Sequence, residues 1–418
     1  MVKDNAQSVG LHLPWAGKSV RIENVEEELS HLWRMSADNV RTSHNINVRT
    51  SVLNLVICAQ DVESAQRATR ILRDLSSTHI ARVTLLILDS SSTSSNISAW
   101  VTLRSFPIIS DMMRHHFEQI TIHLSGTAMY AAAQIIQPLL KPDLPVYLWW
   151  LDDLLDENTI FNRLVSTSSR VMIDSSRFFT PEQSIQTLPQ LIEACPSCAF
   201  SDLNWGRITP WRELIAQFFD VVAYKPYLAG VTSVEIEHAV APIAEPTRTE
   251  QGFVSPNPTQ ALLLAAWLQT RLGWKLSNEG EQDEHDPESG EHFWHMIRTG
   301  PLGTRPLGQT GRLGKIKRGN LYIRPRVQLD LQPGSICLIR MVSTIDDKNA
   351  IFTINREADS ENVLTSVEMA GETRPQRTVS IAATHKESEL LHDELEIMGR
   401  DHVYEQMLQE VFELLSLQ

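Results

Sequence analysis

Two cysteines three residues apart, in Cys195-Pro196-Ser197-Cys198, have the spacing of a redox dithiol or of half a zinc site. A four-thiolate zinc site needs a second such pair, and the other two cysteines, Cys58 and Cys337, sit singly in apolar runs that read as strand core, so no metal is expected. A thioredoxin-type pair opens a helix after a strand, whereas this one follows a helical stretch; a reversible disulfide and two inert thiols both remain open. The string Gly303-Thr304-Arg305-Pro306-Leu307-Gly308-Gln309-Thr310 resembles a phosphate-binding loop up to Gln309, where the lysine belongs, and no apolar strand precedes it. The glycine fingerprint of dinucleotide sites, H-E-x-x-H and G-x-S-x-G are absent, and His115-His116 precedes a strand as an ordinary structural pair. No catalytic residue, metal or cofactor is therefore assigned.

A second chemical feature is charge. Residues 298–326 hold eight Lys or Arg, six glycines and no acid, directly after the acidic stretch 279–291. Arg305, Arg312, Lys315, Lys317 and Arg318 could hold an anion or dock an acidic partner surface. The alternative is a solvated loop paired with the acids before it, and surface ion pairs of about 0–1 kcal/mol each decide neither.

The elements that would position these groups are of two kinds. Over residues 50–240 short apolar runs alternate with helical patterns, which reads as βα units building a mostly parallel sheet. Strands are expected at 51–58, 83–88, 99–106, 119–124, 146–150 and 170–173, and crossover helices at 62–75, 128–140 and 160–165. A helix over 182–194 is expected to follow the last strand. Asp61 can cap the first helix, and Asp152 and Asp153 the one after the Trp149-Trp150 pair. Beyond 242 strand-like runs at 321–331, 335–343, 350–355 and 379–383 point to an antiparallel sheet, and 386–415 to one long amphipathic helix. The expected class is α/β, with an N-terminal mostly parallel sheet flanked by helices and a C-terminal α+β domain with an antiparallel sheet. The expected division is an extension with a helix at 1–45, an α/β domain at 46–242, and an α+β domain at 243–418 carrying the acidic and basic loop at about 279–320.

Bulk composition limits partners. The 418 residues are 42% apolar and 21% charged, an ordinary globular balance. Net charge is −14, from 37 basic and 51 acidic side chains, which opposes nucleic acid and anionic lipid. The start of the chain lacks a signal peptide's apolar core, no run reaches the ~20 apolar residues of a membrane span, and four cysteines are too few for a disulfide scaffold, so a cytoplasmic protein is expected.

Two strings go further: Asp143-Leu144-Pro145-Val146-Tyr147-Leu148-Trp149-Trp150, and residues 202–214, Asp-Leu-Asn-Trp-Gly-Arg-Ile-Thr-Pro-Trp-Arg-Glu-Leu, continued by Ala216-Gln217-Phe218-Phe219-Asp220. With Ser125-Gly126-Thr127-Ala128 and 170–175 in the same order, the chain resembles the OpcA family of glucose-6-phosphate dehydrogenase assembly proteins over about 50–240. The resemblance implies a non-catalytic, cytoplasmic partner that binds this dehydrogenase and promotes its active oligomer or conformation. In the second string Thr209 can cap a helix with Pro210 in its first turn. Trp149, Trp150, Asn204, Trp205, Arg207, Trp211 and Arg212 are candidates for the partner interface, since Trp and Arg dominate hot spots. Packing under the helices explains the Trp pair as well, and buried hydrogen bonding explains the Asn and Arg residues. Cys195 and Cys198 would be a thiol switch, with thioredoxin as reductant. The rival reading is an α/β enzyme or sensor that binds a sugar phosphate or nucleotide at the sheet's carboxyl edge.

Overall fold

A computed structural model describes residues 13–41, 46–48, 51–75, 81–107, 113–154, 158–240, 257–277, 285–286, 291–298, 318–356, 362–369, 372–373, 377–381, 386–397 and 399–416. The first sheet holds β1 Lys18–Val20, β2 Ile46–Val48, β3 Leu53–Ala59, β4 Ala81–Asp89, β5 Asn96–Pro107, β6 Met113–Ser125, β7 Val146–Trp150, β8 Arg170–Ile173 and β9 Ala199–Asp202. The second holds β10 Val231–Val240, β11 Trp274–Leu276, β12 His285–Asp286, β13 Glu291–Arg298, β14 Arg318–Val327, β15 Ile336–Ile345, β16 Lys348–Arg356, β17 Asn362–Met369, β18 Glu372–Thr373 and β19 Arg377–Ser380. The helices are α1 Val25–Arg41, α2 Val62–Leu75, α3 Ala132–Ile136, α4 Thr159–Val165, α5 Pro181–Ala194, α6 Leu203–Arg207, α7 Thr209–Asp220, α8 Thr259–Leu272, α9 Glu387–Glu396 and α10 His402–Ser416.

The expected α/β class is present. In the first sheet the spatial order β6-β4-β3-β7-β8-β9 is parallel throughout, and β5 and β1 add an antiparallel edge beyond β6. Every residue of β3 is buried because helices cover both faces. On one face α2 presents Ala65, Ala68, Ile71, Leu72 and Leu75, and α9 lies beside it through Leu390, Leu391 and Leu395. The other face continues through α5, α7, α8 and α10 into the second sheet as one apolar core.

Several expectations change. The long C-terminal helix is two: Gly399 adopts φ 95°, and the buried Arg170 guanidinium takes the carbonyls of Ile397 and Gly399, which ends α9. The stretch 128–140 is a short α-helix between two tighter 3-10 turns. Helix α5 does not follow the last strand, because β9 comes after it and completes the sheet. His115 and His116 lie within β6 rather than before it. Strand β10, in residues grouped by sequence with the first unit, forms the middle of the second sheet, parallel to β14 and antiparallel to β15.

Candidate functional site

The order β6-β4-β3-β7-β8-β9 is the 3-2-1-4-5-6 order of doubly wound dinucleotide folds, whose ligand lies where the winding reverses, here between the carboxyl ends of β3 and β7. Beside that place, at the carboxyl ends of β7 and β8 and under α2, is a shallow depression lined by Arg67, Trp150, Leu151, Asp152, Asp174, Arg177 and Phe178. A pyrophosphate needs glycines in the β3–α2 turn and free amides at the start of α2. The turn is instead Ala59-Gln60-Asp61, and the Asp61 carboxylate accepts the Ser64 backbone N–H at 2.7 Å. Asp152 adds a second carboxyl, held above its ordinary pKa by burial and by the charges of Asp153 and Asp61. The nearby cations are committed: Arg177 to Glu387 at 3.2 Å and Asp174 at 3.5 Å, and Arg67 to Glu387 at 3.6 Å. A dinucleotide's phosphates do not fit this crevice.

The second hallmark string builds a polar cluster beside it. Asp202 ends β9 and is fully buried; it accepts the N–H of Ser175 (3.0 Å), the Ser175 hydroxyl (2.6 Å) and the N–H of Asn204 (2.9 Å). Asn204 donates to the Ser175 hydroxyl at 3.0 Å. Arg207 returns along α6 to grip Asp174 at 2.5 and 2.8 Å. The two carboxyls are pushed oppositely. Burial raises Asp202 to about 7, against its hydrogen bonds and with help from Asp174's charge. Burial would raise Asp174 too, but the charge and hydrogen bonds of Arg207 bring it below the ordinary value.

The same string holds the C-terminal helices. Trp205 Nε1 donates to Asp401 at 2.9 Å, and Asp401 in turn accepts the N–H groups of Val403 and Tyr404 that open α10. The Arg212 guanidinium stacks 3.6 Å from the Trp205 ring centroid and donates to the Thr209 hydroxyl at 2.7 Å. Thr209 therefore does not cap α7; it is the first residue of the helix, and its side chain makes no cap bond. The contacts of Asp401 with Trp205, of Tyr404 with Asp202 and of Arg170 with Ile397 gave no local signal, because the partners lie about 200 or more residues apart.

The interface candidates are thus mostly interior. Trp149, Trp150, Asn204, Trp205 and Trp211 are buried, and Arg207 and Arg212 are half-buried against their partners. Trp149 enters the α2–α9 core while Trp150 faces the opposite core, edge-on to Phe161 at 4.9 Å, as strand alternation dictates. Asp153 does not cap α4, which Asn158 caps; its carboxylate takes the N–H groups of Phe179 and Thr180 at the start of α5. All four cysteines are free thiols: Cys58 and Cys337 are buried strand residues, Cys198 is buried and Cys195 half-buried. Burial, with Cys195 adding, pushes the Cys198 thiol up to about 12. Arg318 opens β14 opposite Ile297, whereas Arg305, Arg312, Lys315 and Lys317 lie outside the described residues. Among the described residues no cluster of His, Cys, Asp and Glu is placed to hold a metal, and no helix is long and apolar enough to cross a membrane.

Comparison with known proteins bears on the hallmark strings. Residues 72–190 match the family model of the glucose-6-phosphate dehydrogenase subunit N-terminal domain, and residues 198–408 that of its C-terminal domain. The chain is 27% identical over 266 residues to an OxPP cycle protein OpcA from Synechocystis, covering 57% of this chain and 51% of the relative. It is 32% identical over 170 residues to that of Nostoc punctiforme, covering 40% and 33%, and 27% identical over 297 residues to that of Synechococcus elongatus, covering 70% and 58%. The matches thus span about half, a third and somewhat over half of these relatives' lengths. Among solved structures, levoglucosan dehydrogenase with NADH and L-sorbose aligns over 86% of this chain and 90% of its own at a TM-score of 0.41 and 8% identity. The dehydrogenase MviM from Clostridium difficile aligns over 87% and 97% at 0.41 and 10% identity. Likeness at that level says nothing of ligand or activity. With its C-terminal half alone matching a model over residues 198–408 and the N-terminal model matching before it, the chain belongs to the OpcA family of glucose-6-phosphate dehydrogenase assembly proteins.

Proposed function

We propose that this chain is a non-catalytic cytoplasmic partner that binds glucose-6-phosphate dehydrogenase and promotes its active oligomer or conformation. The observation that carries the reading is the match of both halves to models named for a subunit of that dehydrogenase. The crevice between β3 and β7 supports the non-catalytic part, since its phosphate position is filled by the chain's own Asp61 and its arginines by Glu387 and Asp174. Activation by a bound protein requires differential affinity: a partner that holds both states equally tightly shifts nothing. To move the dehydrogenase from about 1:99 to about 99:1 active over inactive, the chain must prefer the active state by about 10⁴-fold. Co-elution of the purified chain with the dehydrogenase of the same cell tests the binding step; separate elution at every ratio removes the reading.

Thiol control through Cys195 and Cys198, with thioredoxin as reductant, is a separate part of the proposal and is supported by their spacing alone. Docking of an acidic partner surface on Arg305, Arg312, Lys315, Lys317 and Arg318 is likewise proposed from charge.

A further inference from the structure

The second sheet has two unlike faces. One is shut: Trp294 donates to the Leu414 carbonyl of α10 at 3.0 Å, and Phe352 packs on Phe218 and Phe219 of α7. The other is made by the alternate residues of six neighbouring strands, β13, β14, β10, β15, β16 and β17. Their register sets Phe293, Tyr322, Glu235, Arg340, Thr353 and Ser366 in one row across the sheet. These side chains are half-exposed, Arg340 more so.

An antiparallel sheet face that meets only water alternates to polar residues. This one stacks Tyr322 on Phe293 at 4.7 Å and sets Val342 beside Ile351, with Leu338 and Leu364 flanking Asn355. None of its residues on the six strands is lysine. Aromatic and arginine side chains without lysine are shared with protein interfaces, whereas the four glutamates of this face are not an interface feature.

Its charge is equally particular. Arg318, Arg324, Arg326 and Arg340 stand against Glu235, Glu237, Glu291 and Glu368, four against four, on a chain whose net charge is −14. They pair within the face: Arg324 with Glu235, and Arg326 with Glu237 at 3.2 Å, while Arg324 also lies 4.9 Å over the Tyr322 ring. Six strands about 4.8 Å apart and some 8 residues long at about 3.3 Å per residue present on the order of 750 Å². One partner in a stable complex contributes about 800 Å².

We infer that this face docks a second copy of the chain through a two-fold contact that spans the six strands and includes Phe293, Tyr322 and Ile351. In such a contact the same patch meets itself, so it must not repel itself. Two acidic chains repel over most of their surface, and a face with four charges of each sign, two pairs of which are joined within it, carries no net charge to add to that opposition. It also demands no complementary charge from the partner. The inference stands apart from the dehydrogenase reading.

The test is the mass of the isolated chain by sedimentation equilibrium across micromolar concentrations, for wild type, Tyr322→Arg, Ile351→Lys and Tyr322→Phe. The expected result is a wild-type dimer, retained by Tyr322→Phe and weakened about 30-fold or more by each charged variant, as removal of a hot-spot side chain does. Unchanged melting temperatures establish that the variants fold. A wild-type monomer overturns the inference, and so does a dimer indifferent to both charged variants. If the wild type is monomeric and Tyr322→Arg instead abolishes co-elution with the dehydrogenase, the face belongs to that partner and self-docking is wrong.

Discussion

Replacing Arg207 by Met separates a structural from an interface role for the hallmark string. Asp174 is only 4% exposed, and Arg207 supplies two of its hydrogen bonds, at 2.5 and 2.8 Å. Without Arg207 the carboxylate keeps the Ser176 hydroxyl at 2.6 Å and Arg177 at 3.5 Å, so the loss falls at the low end of the range for breaking a buried pair, about 3 kcal/mol. At roughly 2–4 °C per kcal/mol this lowers the melting temperature by roughly 6–12 °C. Because Asp174's pKa is depressed in the folded state, its stabilising contribution is present above the ordinary carboxyl value of 3.8 and lost as pH falls below it. The deficit of R207M is therefore in place from neutral pH down to about 4 and closes only as pH falls further. The double variant Asp174→Asn with Arg207→Met, which removes both members of this pair, recovers most of the loss. Thermal melts monitored by circular dichroism across pH check this. A single variant that melts like wild type while losing dehydrogenase binding would refute the reasoning and return Arg207 to the partner surface.

Asp202 has the opposite sign. Its folded pKa of about 7 lies above the ordinary 3.8, so its contribution is full below 3.8 and is lost as pH rises to 7, by up to about 4 kcal/mol; urea titrations of D202N should lack that slope and match wild type at low pH. Nicotinamide dinucleotides at millimolar concentration should leave the melting temperature unmoved, whereas a clear rise would show that the β3–β7 crevice accepts them despite Asp61. In the native protein iodoacetamide should label Cys195 well before Cys198, whose buried thiol stays protonated at neutral pH; equal labelling, read by mass spectrometry, contradicts the burial. If the thiol pair is a switch, C195S/C198S should abolish any difference between oxidised and reduced protein in dehydrogenase activation, and a persisting difference removes it.

What the sequence disclosed followed the range of the interactions. Strands β7 and β8 are legible because each is a short, mostly apolar run, with Arg170 the one charged residue, and α2 because its buried side repeats at helical spacing. The Trp149-Trp150 pair, which its sequence offered both to a partner interface and to packing, lies in the core. Strand β10 was missed since its pattern of Glu235, Glu237 and His238 between apolar residues gives no long apolar run, and its neighbours come from nearly 100 residues later. The break between α9 and α10 depends on Arg170, more than 200 residues distant. The hallmark string announced that something there mattered, yet not that Trp205 meets Asp401 or that Arg207 meets Asp174; both are tertiary pairings that residue type alone leaves open.

The most direct measurement for the account is the substrate saturation curve of glucose-6-phosphate dehydrogenase from the same cell, recorded alone and with increasing amounts of this chain. The account predicts a curve that shifts to lower substrate concentration or higher maximal rate and saturates as the chain fills its sites, while the chain by itself turns over no sugar phosphate. A curve indifferent to the chain, or turnover by the chain in isolation, contradicts it.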